Sequence, residues 1–400
     1  MATRYEFRQV ADTGEVQGGR QRNPNMTEGR VVPYLRVANV FDGYIDFSDL
    51  NEMAFRPSEI ETFRLLPGDI LLNEGQSVEL VGRAAMYQGG PQDCCFQNTL
   101  IRYRAKSGVD PEYAVQLFRY CQQIGVFSRI AVRTNSIAHL GVSRFAELEL
   151  PFPSLPEQRK IAAILRTWDA ALDKLAALRA ANLKRRVWFR KHLFTGYARM
   201  PDHVGEWRDV SLRDVLTEHS LRSTGAEEVY SVSVHKGLVN QIEHLGRSFA
   251  AAETSHYNRV LPGDIVYTKS PTGDFPLGII KQSKIDHEVI VSPLYGVFTP
   301  ATRALGLILD ALFESPVAAC NYLRPLVQKG AKNTIAVTNR QFLEGKLHLP
   351  MDPAEQEAIA DVVNASQAEF AGIQDEIEAL TRQKRGLMQK LLTGEWRVPL

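Results

Sequence analysis

The sequence predicts an α+β protein: two repeated mixed α/β domains separated by two long helices packed as an antiparallel coiled coil. Three observations predict this fold. The 400 residues contain one unit twice, with matching segments 195 to 198 residues apart. Each copy closes with a stretch of about 40 residues that has the heptad spacing of a coiled-coil helix. Before each stretch, short β-rich runs alternate with turn signals.

The internal repeat is visible in four pairs of matching segments. The pairs are Glu157-Gln158 with Glu355-Gln356, Leu193-Phe194-Thr195-Gly196 with Leu391-Leu392-Thr393-Gly394, Leu66-Pro67-Gly68-Asp69-Ile70 with Leu261-Pro262-Gly263-Asp264-Ile265, and Thr134-Asn135-Ser136-Ile137 with Lys332-Asn333-Thr334-Ile335. Because these pairs keep the same order and nearly the same spacing, we expect each half of the chain to form the same fold.

Two long helices are predicted at residues 156–196 and 353–394. Each begins at a proline and ends at a glycine, as helices often do. The predicted spacer-seam residues are Ile161, Leu165, Trp168, Leu172 and Leu175 in the first helix, and Ile359, Val363, Phe370, Ile373, Ile377 and Leu380 in the second. At ~1.5 Å per residue each helix is roughly 60 Å long. We expect the two helices to pack together; the alternative is two unrelated surface helices.

The chain divides into four predicted segments: a first domain at 1–152, a central helix at 153–198, a second domain at 199–350 and a carboxyl-terminal helix at 351–400. In the first domain, β-rich runs predict strands at 31–40, 69–72, 82–87, 99–103 and 147–150, and a helix begins at Asp110-Pro111. In the second domain, strands are predicted at 229–234, 265–268, 277–281 and 289–291, with a helical region at 305–326.

The composition limits the class of protein. With 44% hydrophobic residues the chain can bury more than one core. The net charge of +1 excludes a simple polycation, so any nucleic-acid contact must come from local patches. The four cysteines have no metal-ligand spacing, and the adjacent Cys94 and Cys95 are expected to be buried thiols. Because no signal peptide or run of about 18 apolar residues is present, we expect a soluble cytoplasmic protein.

Local charge is less balanced than the total. Residues 113–146 contain no acid but include several arginines, and residues 315–343 repeat this pattern. We therefore predict a phosphate-facing surface in each half. Its predicted DNA-binding residues are Arg129, Arg133 and Asn135 in the first half and Lys329, Lys332, Asn333 and Arg340 in the second. The alternative is that these cations cap helices or pair with acids elsewhere in the fold.

A second group of candidates combines basic residues with glycine-containing loops. Arginine, glutamine and asparagine side chains there can donate to the edges of guanine and adenine. The candidates are Arg20, Arg22 and Arg30 in the first half and Lys269 and Thr272 in the second. A solvated loop is an equal alternative for each.

Motifs for covalent chemistry are missing from the sequence. It contains no Walker loop, no metal-spaced cluster of His or Cys and no nucleophile elbow. We therefore predict no catalytic residue, no bound metal and no cofactor in this chain.

The duplicated layout resembles that of the specificity subunit of type I restriction–modification enzymes. The resemblance rests on Leu150-Pro151 with Pro156-Glu157-Gln158, on Leu349-Pro350 with Glu355-Gln356, and on the two Thr-Gly helix ends, and it covers essentially the whole chain. One departure is the extra residue in Pro353-Ala354-Glu355-Gln356, which affects where the second helix begins.

That resemblance implies a non-catalytic subunit that recognises a bipartite site in double-stranded DNA, one half-site per domain. It also implies that the helices act as a spacer, and that two methyltransferase subunits and restriction/translocase subunits dock on the chain. Those partners would use S-adenosylmethionine, ATP and Mg²⁺. Two alternatives stay open from the residues alone: a structural coiled-coil scaffold without DNA binding, and a methyltransferase or nuclease with an unrecognised site.

Overall fold

A computed structural model describes residues 5–21, 28–245, 253–329 and 335–399. The chain forms two compact units. Unit 1 consists of residues 1–176 together with 375–400, and unit 2 consists of residues 177–374. Each unit therefore contains one globular part and a portion of both long helices.

The helices differ greatly in length. They are α1 Val10–Thr13, α2 Pro57–Phe63, α3 Pro111–Gln123, α4 Val126–Ile130, α5 Val142–Ala146, α6 Leu155–Trp188, α7 Gln241–Leu245, α8 Arg303–Phe313, α9 Pro316–Leu323, α10 Asn339–Glu344 and α11 Pro353–Leu392. A π-helical turn, Phe189–Leu193, follows α6, and 3₁₀ turns lie at Val37–Asn39, Leu212–Asp214 and Arg324–Leu326.

The strands are short. They are β1 Phe7–Gln9, β2 Gly14–Gly18, β3 Arg30–Leu35, β4 Asn51–Phe55, β5 Ile70–Asn73, β6 Gly75–Gln76, β7 Ala84–Met86, β8 Cys95–Phe96, β9 Leu100–Ala105, β10 Val132–Thr134, β11 Ile137–His139, β12 Glu149–Pro151, β13 Trp207–Ser211, β14 Leu216–Glu218, β15 Tyr230–Ser233, β16 Gly237–Asn240, β17 Asn258–Val260, β18 Ile265–Tyr267, β19 Ile280–Gln282, β20 Val289–Val291, β21 Gly296–Pro300, β22 Gln328–Lys329, β23 Ile335–Ala336 and β24 Lys346–Pro350.

Unit 1 is built around a four-stranded antiparallel sheet in the order β2-β9-β5-β7. All four residues of β5 are buried, because core clusters cover both faces of the sheet. Helix α3 packs against β7 and β9. Its N-cap is Asp110, whose side chain accepts a hydrogen bond from the backbone of Tyr113. A three-stranded sheet, β4-β3-β8, lies beside this core.

Unit 2 repeats this plan. Its main sheet has the order β14-β21-β18-β19, and α8 packs against β19 and β21. Thr302 caps α8 by accepting from the backbone of Leu305. In the register, Ile265 faces Phe298 as Ile70 faces Tyr103 in unit 1. The mixed α/β character predicted for both halves is therefore confirmed.

The long helices run antiparallel within each unit. In unit 1, Glu157 contacts Arg397, and Asp169, later in α6, contacts Lys384, earlier in α11. In unit 2 the same order appears, with Arg179 bonded to Gln374 at 3.2 Å and Arg185 paired with Glu369. Each of the eleven predicted spacer-seam residues is buried or half-buried. The π-helical turn after Trp188 and the end of α11 at Leu392 lie near the predicted glycine ends.

The described part of the chain contains no single helix that is long and apolar enough to cross a membrane. The apolar helices at 303–313 and 316–326 satisfy the length and composition criterion only as a pair bent by 103°. In the fold most of α8 is buried in the core of unit 2.

Candidate nucleic-acid interface

Unit 1 carries an exposed β-hairpin formed by β10 and β11. Thr134 pairs with Ile137, so Asn135 and Ser136 form a two-residue turn. The φ of Asn135 is +52°, in the left-handed region that asparagine occupies more readily than most residues. Strand β6 anchors the last two residues of β11, whereas residues 132–137 are all exposed. The tip of the hairpin therefore extends beyond its anchor.

Two large apolar side chains are exposed on this hairpin. Val132 is 50% exposed and Ile137 is 46% exposed. Single apolar residues on a surface need no explanation, but these lie on opposite strands of one projecting ribbon. A two-stranded ribbon has the dimensions of the major groove of DNA, where apolar side chains contact the thymine methyl group. The pair was not among the residues predicted from the sequence, although β-branched residues on both sides of Asn135-Ser136 were a usable signal.

Basic residues surround the hairpin. Arg133 lies on it and is exposed, and Arg129, also exposed, lies in α4 and donates to the carbonyl of Ile124 at 3.0 Å. Arg144 donates to the carbonyls of Leu140 and His139, both at 3.0 Å. Arg129, Arg133 and Asn135, which the sequence predicts as DNA-binding residues, are thus close together in the chain, and each is exposed.

Arg119 belongs to the same acid-free stretch but has a different role. Its side chain is 12% exposed and lies 2.7 Å from Asp42 and 3.3 Å from Asp169. Burial tends to lower the pKa of Arg119, but these two carboxylates outweigh it and the pKa is raised. For Arg119 the alternative stated above applies, namely pairing with acids elsewhere in the fold.

The glycine-rich candidates of the first half are separated by the fold. Arg20 is buried; its guanidinium lies 2.9 Å from Glu59 and 4.8 Å from the centre of the Phe55 ring. This placement in the interior does not favour Arg20 as a DNA contact. Arg30 is exposed and paired with Asp93, and Arg22 lies outside the described residues.

Unit 2 has a hairpin at the matching position, with Lys329 of β22 opposite Ile335 of β23. Lys332 and Asn333 are outside the described residues. Arg340 is 88% exposed and forms an ion pair with Glu344 at 3.3 Å, one helical turn away. Each unit therefore has a hairpin at the position of this sequence repeat, which pairs residues 134–137 with residues 332–335.

Lys269 and Thr272 lie on another surface element of unit 2. Lys269 is half-buried, and burial lowers its pKa although Glu218 opposes that effect. Thr272 is exposed in a tight turn that its backbone forms with Phe275, through hydrogen bonds of 3.1 and 2.8 Å. Thr272 is therefore accessible to a ligand, whereas Lys269 is partly enclosed.

Comparisons with known proteins agree on one family. A family model described as "Type I restriction modification DNA specificity domain" matches residues 3–184. A relative from Methanocaldococcus jannaschii, described as a putative type I restriction enzyme MjaX specificity subunit, is 23% identical over 385 residues, covering 92% of this chain and 87% of its own. The similarity to type I restriction–modification specificity subunits therefore extends from the domain match at residues 3–184 to almost the whole chain.

Another relative and two solved structures also come from type I restriction–modification systems. The StySPI specificity subunit of Salmonella potsdam is 27% identical over 156 residues, which cover 38% of this chain and 33% of the relative. The crystal structure of an S subunit from M. genitalium has a TM-score of 0.55 at 16% identity and covers 97% of this chain and 96% of its own. A structure from work on complex assembly of the type I system has a TM-score of 0.55 at 15% identity and covers 98% of both chains. These structures confirm the fold.

The relatives are described as specificity subunits of type I restriction enzymes. Among the described residues, no group of His, Cys, Asp and Glu side chains could hold a metal ion. Cys94 and Cys95 are buried, as expected, and burial raises the pKa of both thiols to about 12. Such thiols stay protonated and unreactive at neutral pH.

Proposed function

We propose that the chain is a type I specificity subunit without catalytic activity of its own. It recognises a bipartite site in double-stranded DNA, with one half-site for the globular part of each unit, here called a recognition domain. The hairpin of unit 1 is the observation that carries the proposal. It combines exposed Val132 and Ile137 with exposed Arg133 and Asn135 on one ribbon. Asparagine donates to base edges, apolar side chains contact the thymine methyl group, and arginine pairs with phosphates.

Basic residues beside the hairpin suit the DNA backbone. Phosphate contacts fix the orientation of a protein on the duplex, while base contacts supply sequence specificity. Arg129 lies outside the ribbon, at the end of α4, and is exposed. We assign Arg129 and Arg133 to phosphates, and Val132, Asn135 and Ile137 of the ribbon to the groove. In unit 2 the corresponding roles fall to Lys329, Lys332 and Asn333, with Arg340 on the neighbouring helix.

The long helices are proposed as the ruler between the half-sites. A duplex rises about 34 Å per turn, so helices of roughly 60 Å are long enough to separate two recognition domains by about one turn. Four residues inserted after Leu178 match one step of the seam and add ~6 Å. We expect this variant to keep both half-site sequences and to recognise them at a longer spacing.

Two methyltransferase subunits and restriction/translocase subunits complete the proposed enzyme, which we place in the cytoplasm. In this proposal S-adenosylmethionine, ATP and Mg²⁺ are used by those partners, and this chain binds none of them. Purified alone, the chain should neither methylate nor cleave DNA. Turnover by a preparation verified to be free of partners would contradict this assignment.

Methylation mapping tests the whole proposal. The chain is produced with methyltransferase subunits in a host without other methylases, and methylated positions are sequenced across the genome. We expect one bipartite motif with a fixed spacer, and a longer spacer for the insertion variant. Random or absent methylation with the unchanged chain would contradict bipartite recognition, and an unchanged spacer in the insertion variant would exclude the helices as the ruler.

A further inference from the structure

The duplicated Glu-Gln pairs lie in the first turns of α6 and α11. All four side chains, Glu157, Gln158, Glu355 and Gln356, are at most 5% exposed. Acidic and amide side chains are seldom buried so completely unless they are bonded on several sides. The pairs are therefore structural junctions, and their hydrogen-bond partners show which elements of the fold each pair connects.

Each glutamine bonds a long helix to the core helix of its own recognition domain. Gln158 donates to the carbonyl of Pro153 at 2.8 Å and accepts from the backbone N–H of Asp110 at 2.9 Å. Asp110 is the N-cap of α3. The side chain of Gln158 thus connects the beginning of α6 to the beginning of the helix that covers the sheet.

Gln356 repeats these contacts in unit 2. It donates to the carbonyl of Pro350 at 2.8 Å and accepts from the hydroxyl of Thr302 at 2.6 Å. Thr302 is the N-cap of α8, the helix equivalent to α3. The partner atom differs, a hydroxyl in place of a backbone N–H, but the two elements that the glutamine joins are the same.

Each glutamate bonds its helix to the segment that follows the other long helix. Glu157 accepts from Nε and Nη2 of Arg397, both at 2.7 Å. Glu355 accepts in the same bidentate way from Arg199, again at 2.7 Å for both atoms. Each arginine stands three residues after the glycine of a Thr-Gly helix end. Bidentate, charge-assisted bonds fix orientation as well as distance.

An aromatic residue completes each junction. The guanidinium of Arg397 lies 4.8 Å from the ring centre of Tyr5, whose hydroxyl donates to Glu157 at 3.2 Å. In unit 2, Arg199 lies 5.7 Å from the ring centre of Trp207, whose indole N–H donates to Glu355 at 3.1 Å. The two junctions therefore share one design of Gln, Glu, Arg and aromatic side chain.

We propose that each Glu-Gln pair is the joint that holds a recognition domain at a fixed angle to the spacer helices and so restricts the subunit to one distance between half-sites. Neighbouring residues on a helix point about 100° apart, so the glutamine can bond the domain while the glutamate bonds the segment that follows the other long helix. The glutamines and glutamates are positioning residues that do not touch DNA. The proposal rests on bipartite recognition as proposed above.

The first test is methylation mapping with Gln158→Ala and, separately, Gln356→Ala. We expect unchanged half-site sequences but an about tenfold rise in methylation at sites whose spacer is one base pair longer or shorter. Gln383→Ala, on the exposed surface of α11, is the matched control and should keep the original spacer. If a folded glutamine variant recognises only the original spacer at its original level, the joint proposal is wrong. Failure of the unchanged chain to show any bipartite site would instead count against the proposed function.

A distance measurement within unit 1 tests the joint without DNA. Spin labels are placed on Ser107→Cys, in the recognition domain, and Gln383→Cys, on α11, with Cys320→Ser to remove the half-buried thiol. We expect a single narrow distance distribution that becomes broader or shifts with Gln158→Ala. An unchanged distribution overturns the proposal. If Gln158→Ala does not fold, Gln158→Met, which has a similar size but lacks the amide that bonds Asp110 and Pro153, is judged by the same criterion.

Discussion

In both units a buried aspartate follows the Leu-Pro-Gly turn, but different side chains neutralise it. Asp69 in unit 1 lies 2.6 and 2.8 Å from two nitrogens of Arg104. Asp264 in unit 2 lies 2.8 Å from Nε2 of His219 and accepts from the hydroxyl of Thr299 at 2.7 Å. By the register of the sheets, Thr299 occupies the position of Arg104.

The role of the aspartate in the turn is the same in both units. Its carboxylate accepts from a backbone N–H three residues earlier, at 2.8 Å from Leu66 in one unit and from Leu261 in the other. The intervening glycines, Gly68 and Gly263, have φ of +95° and +92°, a region that other residues seldom occupy. The turn thus requires the carboxylate and the glycine, whereas the neutralising group can vary.

A second difference lies two residues earlier in the same strand, at Arg102 in unit 1 and Val297 in unit 2. Arg102 is buried in β9, donating to the carbonyl of Thr62 at 3.0 Å and to Glu15 at 2.8 Å. The register places Val297 at the same position of β21, also buried. The two sheets have the same strand order with a charged or an apolar side chain at this position. A buried charge is therefore compatible with this fold wherever local partners satisfy it.

The largest expected effect comes from removing the carboxylate charge in each unit. Asp69→Asn leaves Arg104 without its counter-ion, and we expect a loss of about 2–3 kcal/mol in the free energy of unfolding of unit 1. Asp264→Asn should cost about 1 kcal/mol, because its partners in unit 2, the Thr299 hydroxyl and the His219 ring, can also form hydrogen bonds with an amide. Urea denaturation, with hydrogen exchange of β5 and β18 as local signals, measures both losses.

Asp274→Asn, at an exposed position of unit 2, is the control for these carboxylates and should change stability little. Equal losses for Asp69→Asn and Asp264→Asn would show that the identity of the neutralising side chain does not matter. A larger loss in unit 2 would reverse the comparison.

The hairpin of unit 1 should affect one half-site selectively. Replacing both Val132 and Ile137 with Ser removes the apolar contacts proposed with thymine, and we expect binding to the full site to weaken by about 1–2 kcal/mol. Affinity for a duplex in which the half-site of unit 1 is already scrambled should not change. Leu178→Ser, which alters an equally exposed residue of α6, is the control. A loss on every duplex would mean that the hairpin does not contribute base specificity.

The basic residues should affect all duplexes. Changing Arg129 and Arg133 to Ala is expected to weaken binding to any duplex and to flatten its salt dependence by about one unit of log–log slope per lost phosphate contact. Lys329 and Lys332, changed together, should give the same result in unit 2. Fluorescence titrations at several salt concentrations measure the slopes. Folded variants with unchanged affinity and slope would refute the phosphate assignment.

The smallest expected effect is a difference in thiol reactivity between the two units, which can be measured on the chain without any substitution. Burial raises the pKa of Cys121 to about 12, as it does for Cys94 and Cys95, so the three thiols of unit 1 should resist a maleimide at pH 8. Cys320 in unit 2 is half-buried and should be labelled first. Mass spectrometry of the native chain is expected to show one modified cysteine, and four after unfolding. Early modification in unit 1 would reveal local opening there.

Much of this architecture follows from periodicity, which the sequence records directly. The predicted strand at 289–291 matches β20, and the predicted helix starting at Asp110-Pro111 is α3 with its N-cap. The predicted strand at 31–40 instead ends at Leu35 and is followed by a 3₁₀ turn. Local propensity does not define where a strand ends, because that depends on where the neighbouring strand stops pairing with it. The predicted helical region at 305–326 is broken between Phe313 and Pro316.

Site residues were harder to predict than elements. Arg20 and Arg129 are both arginines in basic stretches of the sequence. Arg20 nevertheless lies in the interior beside Glu59, whereas Arg129 is exposed. The difference depends on a carboxylate 39 residues away, which no local pattern contains. Val132 and Ile137 were overlooked for the opposite reason: β-branched residues in a strand suggest a core, and only the tertiary structure leaves them exposed.

The division of unit 1 into two distant segments has a consequence for biosynthesis. Its core includes Met388, Leu391 and Leu392 of α11 packed with Ile161 and Leu165 of α6. On a ribosome these segments emerge about 200 residues apart, or about 10–40 s at common rates of elongation. Unit 2 is continuous, so it can fold while the apolar face of α6 in unit 1 still awaits its partner. During that interval the uncovered apolar face of the nascent chain is most accessible to chaperones and to a second copy of the chain.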